Sequence, residues 1–89
     1  MSLVWADSAG KHGISRADVL WAIQHAVGSE EVNGRPGWTT RVWVGHPHSQ
    51  TERYIEVIGA LSGAEFVIFH AMSLTDVHRH LIREENSTP

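Results

Sequence analysis

Cysteine is absent from this chain of 89 residues, which excludes disulfides, zinc–thiolate sites and thiol nucleophiles. Lysine is nearly absent too: Lys11 is the only one, and the other six basic residues are arginines. Ten acidic residues leave a net charge of −3 with histidines neutral. Nucleic-acid binders draw most of their affinity from neutralised phosphates, so any RNA or DNA contact here has to come from a local cluster. No apolar run approaches the roughly 20 residues of a membrane span. The opening Met-Ser-Leu-Val-Trp-Ala-Asp has neither the charged nor the apolar stretch of a signal peptide. These absences predict a soluble, cytoplasmic protein without membrane contact. Walker, Gly-x-Gly-x-x-Gly, His-Glu-x-x-His and Gly-x-Ser-x-Gly motifs are missing as well, so nucleotide hydrolysis, dinucleotide redox and metalloprotease chemistry have no support.

What is present is ordinary globular composition, 42% hydrophobic and 19% charged. Residues 1–89 suffice for one domain, with a core limited to about 60–65% of the chain's extended surface. A homodimer contact or a partner protein would add burial. Seven histidines make the charge responsive near pH 6.

Along the chain, Leu3 to Ala6 reads as a short strand and Asp7 to Gly13 as a polar connection. Ser15 is a good N-cap for a helix from Arg16 to Val27, with Val19, Leu20, Ile23, Ala26 and Val27 on one face and Gly28 as its stop. Residues 28–38 are turn-rich and predict a loop. Thr39 to Gly45, Arg53 to Ala60 and Glu65 to Ala71 are strands, the last two joined at Ser62-Gly63. Ser73 caps a final helix from Leu74 to Glu85, with Leu74, Val77, His78 and Leu81 buried. Residues 86–89 are expected to fray. The order β-α-β-β-β-α is that of a small α+β domain, an antiparallel sheet with its helices packed on one face.

Two short motifs bracket this sheet, Lys11-His12-Gly13 and His70-Ala71-Met72. RNA cleavage without a metal needs a base for the 2′-hydroxyl, an acid for the leaving oxygen and cations around the phosphorane. Lys11, His12, Arg41, Arg53, Glu56, His70, Arg79 and His80 contain all three kinds of group. Glu56 and His70 lie on neighbouring strands. A symmetric turn puts them on opposite faces, and a slip of one residue puts them together. Each group also has a plainer role: a solvent-facing Glu56, a hydrogen-bonded core His70, a structural His78, loop residues at 11 and 12. Arg79 and Arg83 make an exposed helix face with Asp76. Trp38, Trp43 and Tyr54 either stack on bases or fill the core. His46-Pro47-His48 and His78-Arg79-His80 fall short of the four ligands of a closed zinc site, so neither metal nor cofactor is expected.

Lys11-His12-Gly13-Ile14 followed by a short helix resembles the opening of BrnT-like toxins, within the RelE-type group of bacterial toxin–antitoxin systems. The likeness is to small actinobacterial toxins of that kind. It extends through Asp7-Ser8, His25-Ala26-Val27, Glu56-Val57 and His70-Ala71-Met72, over residues 5–75. The resemblance implies a RelE-like fold, a curved antiparallel sheet flanked by helices. It also implies a type II toxin that cleaves mRNA, in some cases on the ribosome, and is neutralised by a cognate antitoxin. On this likeness Lys11, His12, Glu56 and His70 are the catalytic candidates. Arg79 and Arg83 correspond to the basic residues near the end of such toxins, while Arg41 and Arg53 complete the candidate RNA contacts. The alternative is a non-catalytic protein-interaction module or homodimer of the same fold.

Overall fold

The computed structural model describes residues 2–82. Its strands are β1 (Ser2–Trp5), β2 (Gly28–Val32), β3 (Thr39–Gly45), β4 (Ile55–Ser62) and β5 (Glu65–Ser73). They form one sheet in the order β1-β5-β4-β3-β2, antiparallel except that β1 runs parallel to β5. One α-helix, α1 (Arg16–Gln24), and two 3-10 helices, Asp7–Gly10 and Asp76–Leu81, complete the described fold. The α+β class expected from sequence is therefore present.

Three expectations are corrected. First, the loop predicted over 28–38 begins with a strand. Gly-Ser-Glu-Glu-Val carries no strand signature of its own, and its partner dictates the pairing: Val32 lies against Thr40 and Gly28 against Val44. As an edge strand it tolerates two glutamates, which protect it from pairing with another chain. Gly28 is not the helix stop. α1 ends at Gln24, and a Cβ at Gly28 would lie 2.0 Å from the Leu81 carbonyl oxygen, so glycine admits the last 3-10 helix to the sheet.

Second, the predicted final α-helix is a single short 3-10 segment among the described residues. Ser73 stays in β5 opposite Ile55, and the Leu74 N–H bonds to the Tyr54 carbonyl. Thr75 precedes the helix but gives its hydroxyl to Glu56 instead of capping its own first turn.

Third, the helices cover opposite faces. Trp43 packs with Val19, Ala22, Ile55, Val57, Ile68 and Ala71, the core beneath α1. Its strand neighbours Val42 and Val44 pack with Leu81. Successive strand residues point to opposite faces, so α1 and Asp76–Leu81 lie on either side of the sheet. Each face of a sheet that keeps apolar residues on both sides needs its own cover.

Candidate functional site

Glu56 lies opposite Val44 on the face turned away from α1. The two-residue turn Gly63-Ala64 pairs Ser62 with Glu65. Carried on without interruption, that register would set Val57 beside His70 and turn Glu56 and His70 to opposite faces. A β-bulge prevents this. Gly59 pairs with Ile68 but Ile58 pairs with His70, so Phe69 is the extra residue. Beyond the bulge Glu56 pairs with Met72, and His70 becomes its diagonal neighbour on the same face. The side chains meet, with His70 Nε2 2.9 Å from Glu56 Oε2.

The bulge is held from the edge of β5, just past the point where β1 ends. Ala6 N–H donates to the Ile68 carbonyl at 2.9 Å, and Ser8 Oγ donates to the Phe69 carbonyl at 2.6 Å. Ala9 anchors the same segment in the core. The chain then passes through Lys11 to His12, whose ring centroid lies 6.1 Å from that of His70, edge-on. The two motifs that were 58 positions apart in sequence thus meet at one place.

Glu56 is only 3% exposed. Its Oε1 accepts from the Thr75 hydroxyl at 2.6 Å and the Thr75 N–H at 2.8 Å. His78 Nδ1 lies 3.2 Å from the same oxygen, buried and without a hydrogen bond of its own. Burial pushes the Glu56 carboxyl up. The Thr75 hydroxyl, the Thr75 N–H, His70 and His78 together outweigh that and hold it below the ordinary glutamate value. The ionised carboxylate only accepts, so the hydrogen of the contact sits on His70 Nε2. That leaves Nδ1 for proton exchange with a ligand, on a side chain that is 26% exposed. Glu56 is enclosed with both oxygens occupied, so it is placed to orient His70 and not to meet a ligand itself. A carboxylate fixing the tautomer and orientation of a more exposed imidazole is a recurring acid–base arrangement.

The arginines are dispersed. Arg41 lies on the α1 face, where its Nη2 donates to Ser29 Oγ at 2.9 Å. Arg53 is exposed just ahead of β4, and its carbonyl accepts from the His46 ring at 2.7 Å. Arg79 is exposed and paired with Asp76 at 3.1 Å. Arg83 lies outside the described residues. Lys11 is exposed beside His12. His46 stacks on Tyr54 with centroids 4.3 Å apart, and His80 pairs with Glu30 at 3.0 Å. Among the described residues no three His, Cys, Asp or Glu side chains gather as a metal site.

Sequence reasoning missed Thr75 and Ser8, the two hydroxyls that hold the site. Each stands beside an aspartate, Thr75-Asp76 and Asp7-Ser8, at the start of a 3-10 turn. That pattern was available but marks many ordinary caps.

No helix among the described residues is long and apolar enough to cross a membrane. Compared with protein-family models, curated proteins and solved structures, the chain has no significant match in any of the three.

Proposed function

We propose that this chain is the toxin of a type II toxin–antitoxin pair, a metal-independent endoribonuclease acting on mRNA. One observation carries the reading: a buried carboxylate, Glu56, holds a partly exposed His70, and a second imidazole, His12, stands 6.1 Å away ring to ring. Two proton carriers side by side are what phosphodiester transfer to a neighbouring hydroxyl requires. His12 takes the proton of the 2′-hydroxyl, whose oxygen attacks phosphorus. His70, entering the step as the imidazolium with its Nε2–H held by Glu56, gives its Nδ1 proton to the departing 5′ oxygen and is left neutral. The products are a 2′,3′-cyclic phosphate and a free 5′-hydroxyl, with protons in balance. Lys11 and Arg53 are the cations assigned to the phosphorane, where charge develops.

A RelE-like assignment is part of the same proposal. It is supported by the run of antiparallel strands β2 to β5, with β1 beside the last of them and helices on both faces. One feature favours the non-catalytic interaction module. β1 is an edge strand whose Leu3 and Val4 are 42% and 38% exposed, a place where another protein could add itself.

The test is purified protein in a translating bacterial extract, with transcript ends mapped for wild type, His70→Ala and His12→Ala. New cyclic-phosphate ends with wild type, reduced at least about 100-fold in either variant, are expected from the usual contribution of one acid or base. Intact transcripts and undiminished translation would reject the toxin and leave the interaction module.

A further inference from the structure

Asp76–Leu81 covers only the part of its sheet face around Val42 and Val44. The next row on that face, Thr40, Ala60 and Val67, paired across β3, β4 and β5, is not beneath it. With Phe69 these residues floor a cavity of about 390 Å³, walled by Asn33, Arg35 and Trp38 of the segment between β2 and β3. The segment is seated on the sheet: a Cβ at Gly34 would lie 2.1 Å from Thr40 Oγ1. The cavity also adjoins the candidate site, because Phe69 is the bulge residue next to His70.

We infer that this cavity is a nucleobase subsite, receiving one base of the RNA beside the phosphate at His70. For its substrate class the inference rests on the ribonuclease reading. The volume lies within the range of small-ligand pockets. Its floor is apolar apart from Thr40, and its wall carries one indole, one guanidinium and one amide, which together suit a flat ring with polar edges. Trp38 supplies a stacking surface, which is the main source of affinity for single-stranded bases. Asn33 offers both a donor and an acceptor for the edge of the base, and Arg35 a cation for its phosphate or its π face. The same residues give the acidic chain its local means of holding RNA. A peptide side chain would also enter an apolar cavity, but it has no use for this continuity with a proton-transfer pair.

The experiment titrates the four 3′-mononucleotides into the full chain and follows the indole N–H resonances of its four tryptophans. Trp38→Phe identifies the Trp38 signal and preserves an aromatic ring. Saturable movement of that signal with at least one nucleotide is expected, with affinity reduced about tenfold in Trp38→Ala. Ala60→Phe, which fills the cavity from the sheet, should abolish the response. If the Trp38 signal stays still with all four nucleotides at millimolar concentration, the subsite is overturned, whatever the extract shows. Cleavage by wild type with unchanged base frequencies at the cut in Trp38→Ala also overturns it, while the ribonuclease reading survives. Nucleotide binding at Trp38 without transcript cleavage supports the subsite and rejects the ribonuclease.

Discussion

The two faces of this sheet are built for different purposes. Beneath α1, Ile55, Val57, Ile68 and Ala71 meet Val19 and Ala22, and all six have no exposed surface. The other face has a smaller apolar cluster, Val42, Val44 and Leu81. Its middle carries a buried carboxylate with its three partner residues, and its far part is an open cavity. Burying a charge costs free energy that an apolar residue of the same size would not. A small domain with so little core can carry such a centre only because the opposite face supplies the apolar burial. The bulge at Phe69 joins the two arrangements, since it keeps Ile68 in the core while turning His70 toward Glu56.

The largest effect should therefore come from the α1 face. Ile68→Ala is expected to lose about 2–5 kcal/mol, the range for a buried Leu or Ile cut to Ala. Ile58→Ala, half-buried on the other face, should lose about half of that or less. Urea midpoints at unchanged slope measure both. Equal losses would break the comparison and show that both faces stabilise the fold alike.

Glu56 tests the opposite face, and here stability and activity should separate. Glu56→Gln keeps the shape but removes the charge that Thr75 and His70 serve, at a cost of about 1–3 kcal/mol near neutral pH. Its folded carboxyl titrates below its unfolded value of about 4.3. The stabilisation is thus present above pH 4.3 and is lost as pH falls through the folded value. Wild type and Glu56→Gln should converge in urea stability as acid is added in that window. On the proposed ribonuclease reading, transcript cleavage at pH 7 should fall by at least about tenfold in the variant, because His70 loses its orienting partner. Parallel curves down to low pH would show that the Glu56 charge contributes nothing to folding.

Most of the fold was legible from residue patterns. β3, β4 and β5 are rich in branched and aromatic residues, and Ser15 caps α1 as expected, its Oγ accepting from the Asp18 N–H at 3.1 Å. β2 was not legible because Ser29, Glu30 and Glu31 have no strand preference, and the edge of β3 recruits them. The last helix was misread because Leu74, Val77, His78 and Leu81 do have helical spacing, yet Val77 is 71% exposed and Thr75 is committed to Glu56. At the site, residue types pointed to Glu56 and His70, but their meeting depends on one bulge residue. Nothing in Val-Ile-Phe-His announces a bulge. It is held by Ala6 and by Ser8, which reaches the Phe69 carbonyl from 61 positions away.

The smallest effect on folding should come from the rim of the same face, and it sharpens the contrast between holding a structure and holding a ligand. Arg79 and Asp76 form an ion pair whose side chains are 62% and 94% exposed. Solvent screens such a pair, so Arg79→Ala should shift stability by less than about 0.5 kcal/mol. If Arg79 is one of the local cations that meet RNA, the variant should bind a single-stranded oligonucleotide more weakly at low salt. The slope of log affinity against log salt should fall by about one, as for the loss of one phosphate contact. Asp76→Ala should act in the opposite direction, releasing the guanidinium and removing a nearby negative charge, again at almost no cost to folding. An unchanged salt slope in both variants would remove Arg79 from the RNA contacts. A loss of several kcal/mol in Arg79→Ala would mean that the rim supports the fold, and the division of labour between the two faces would fail.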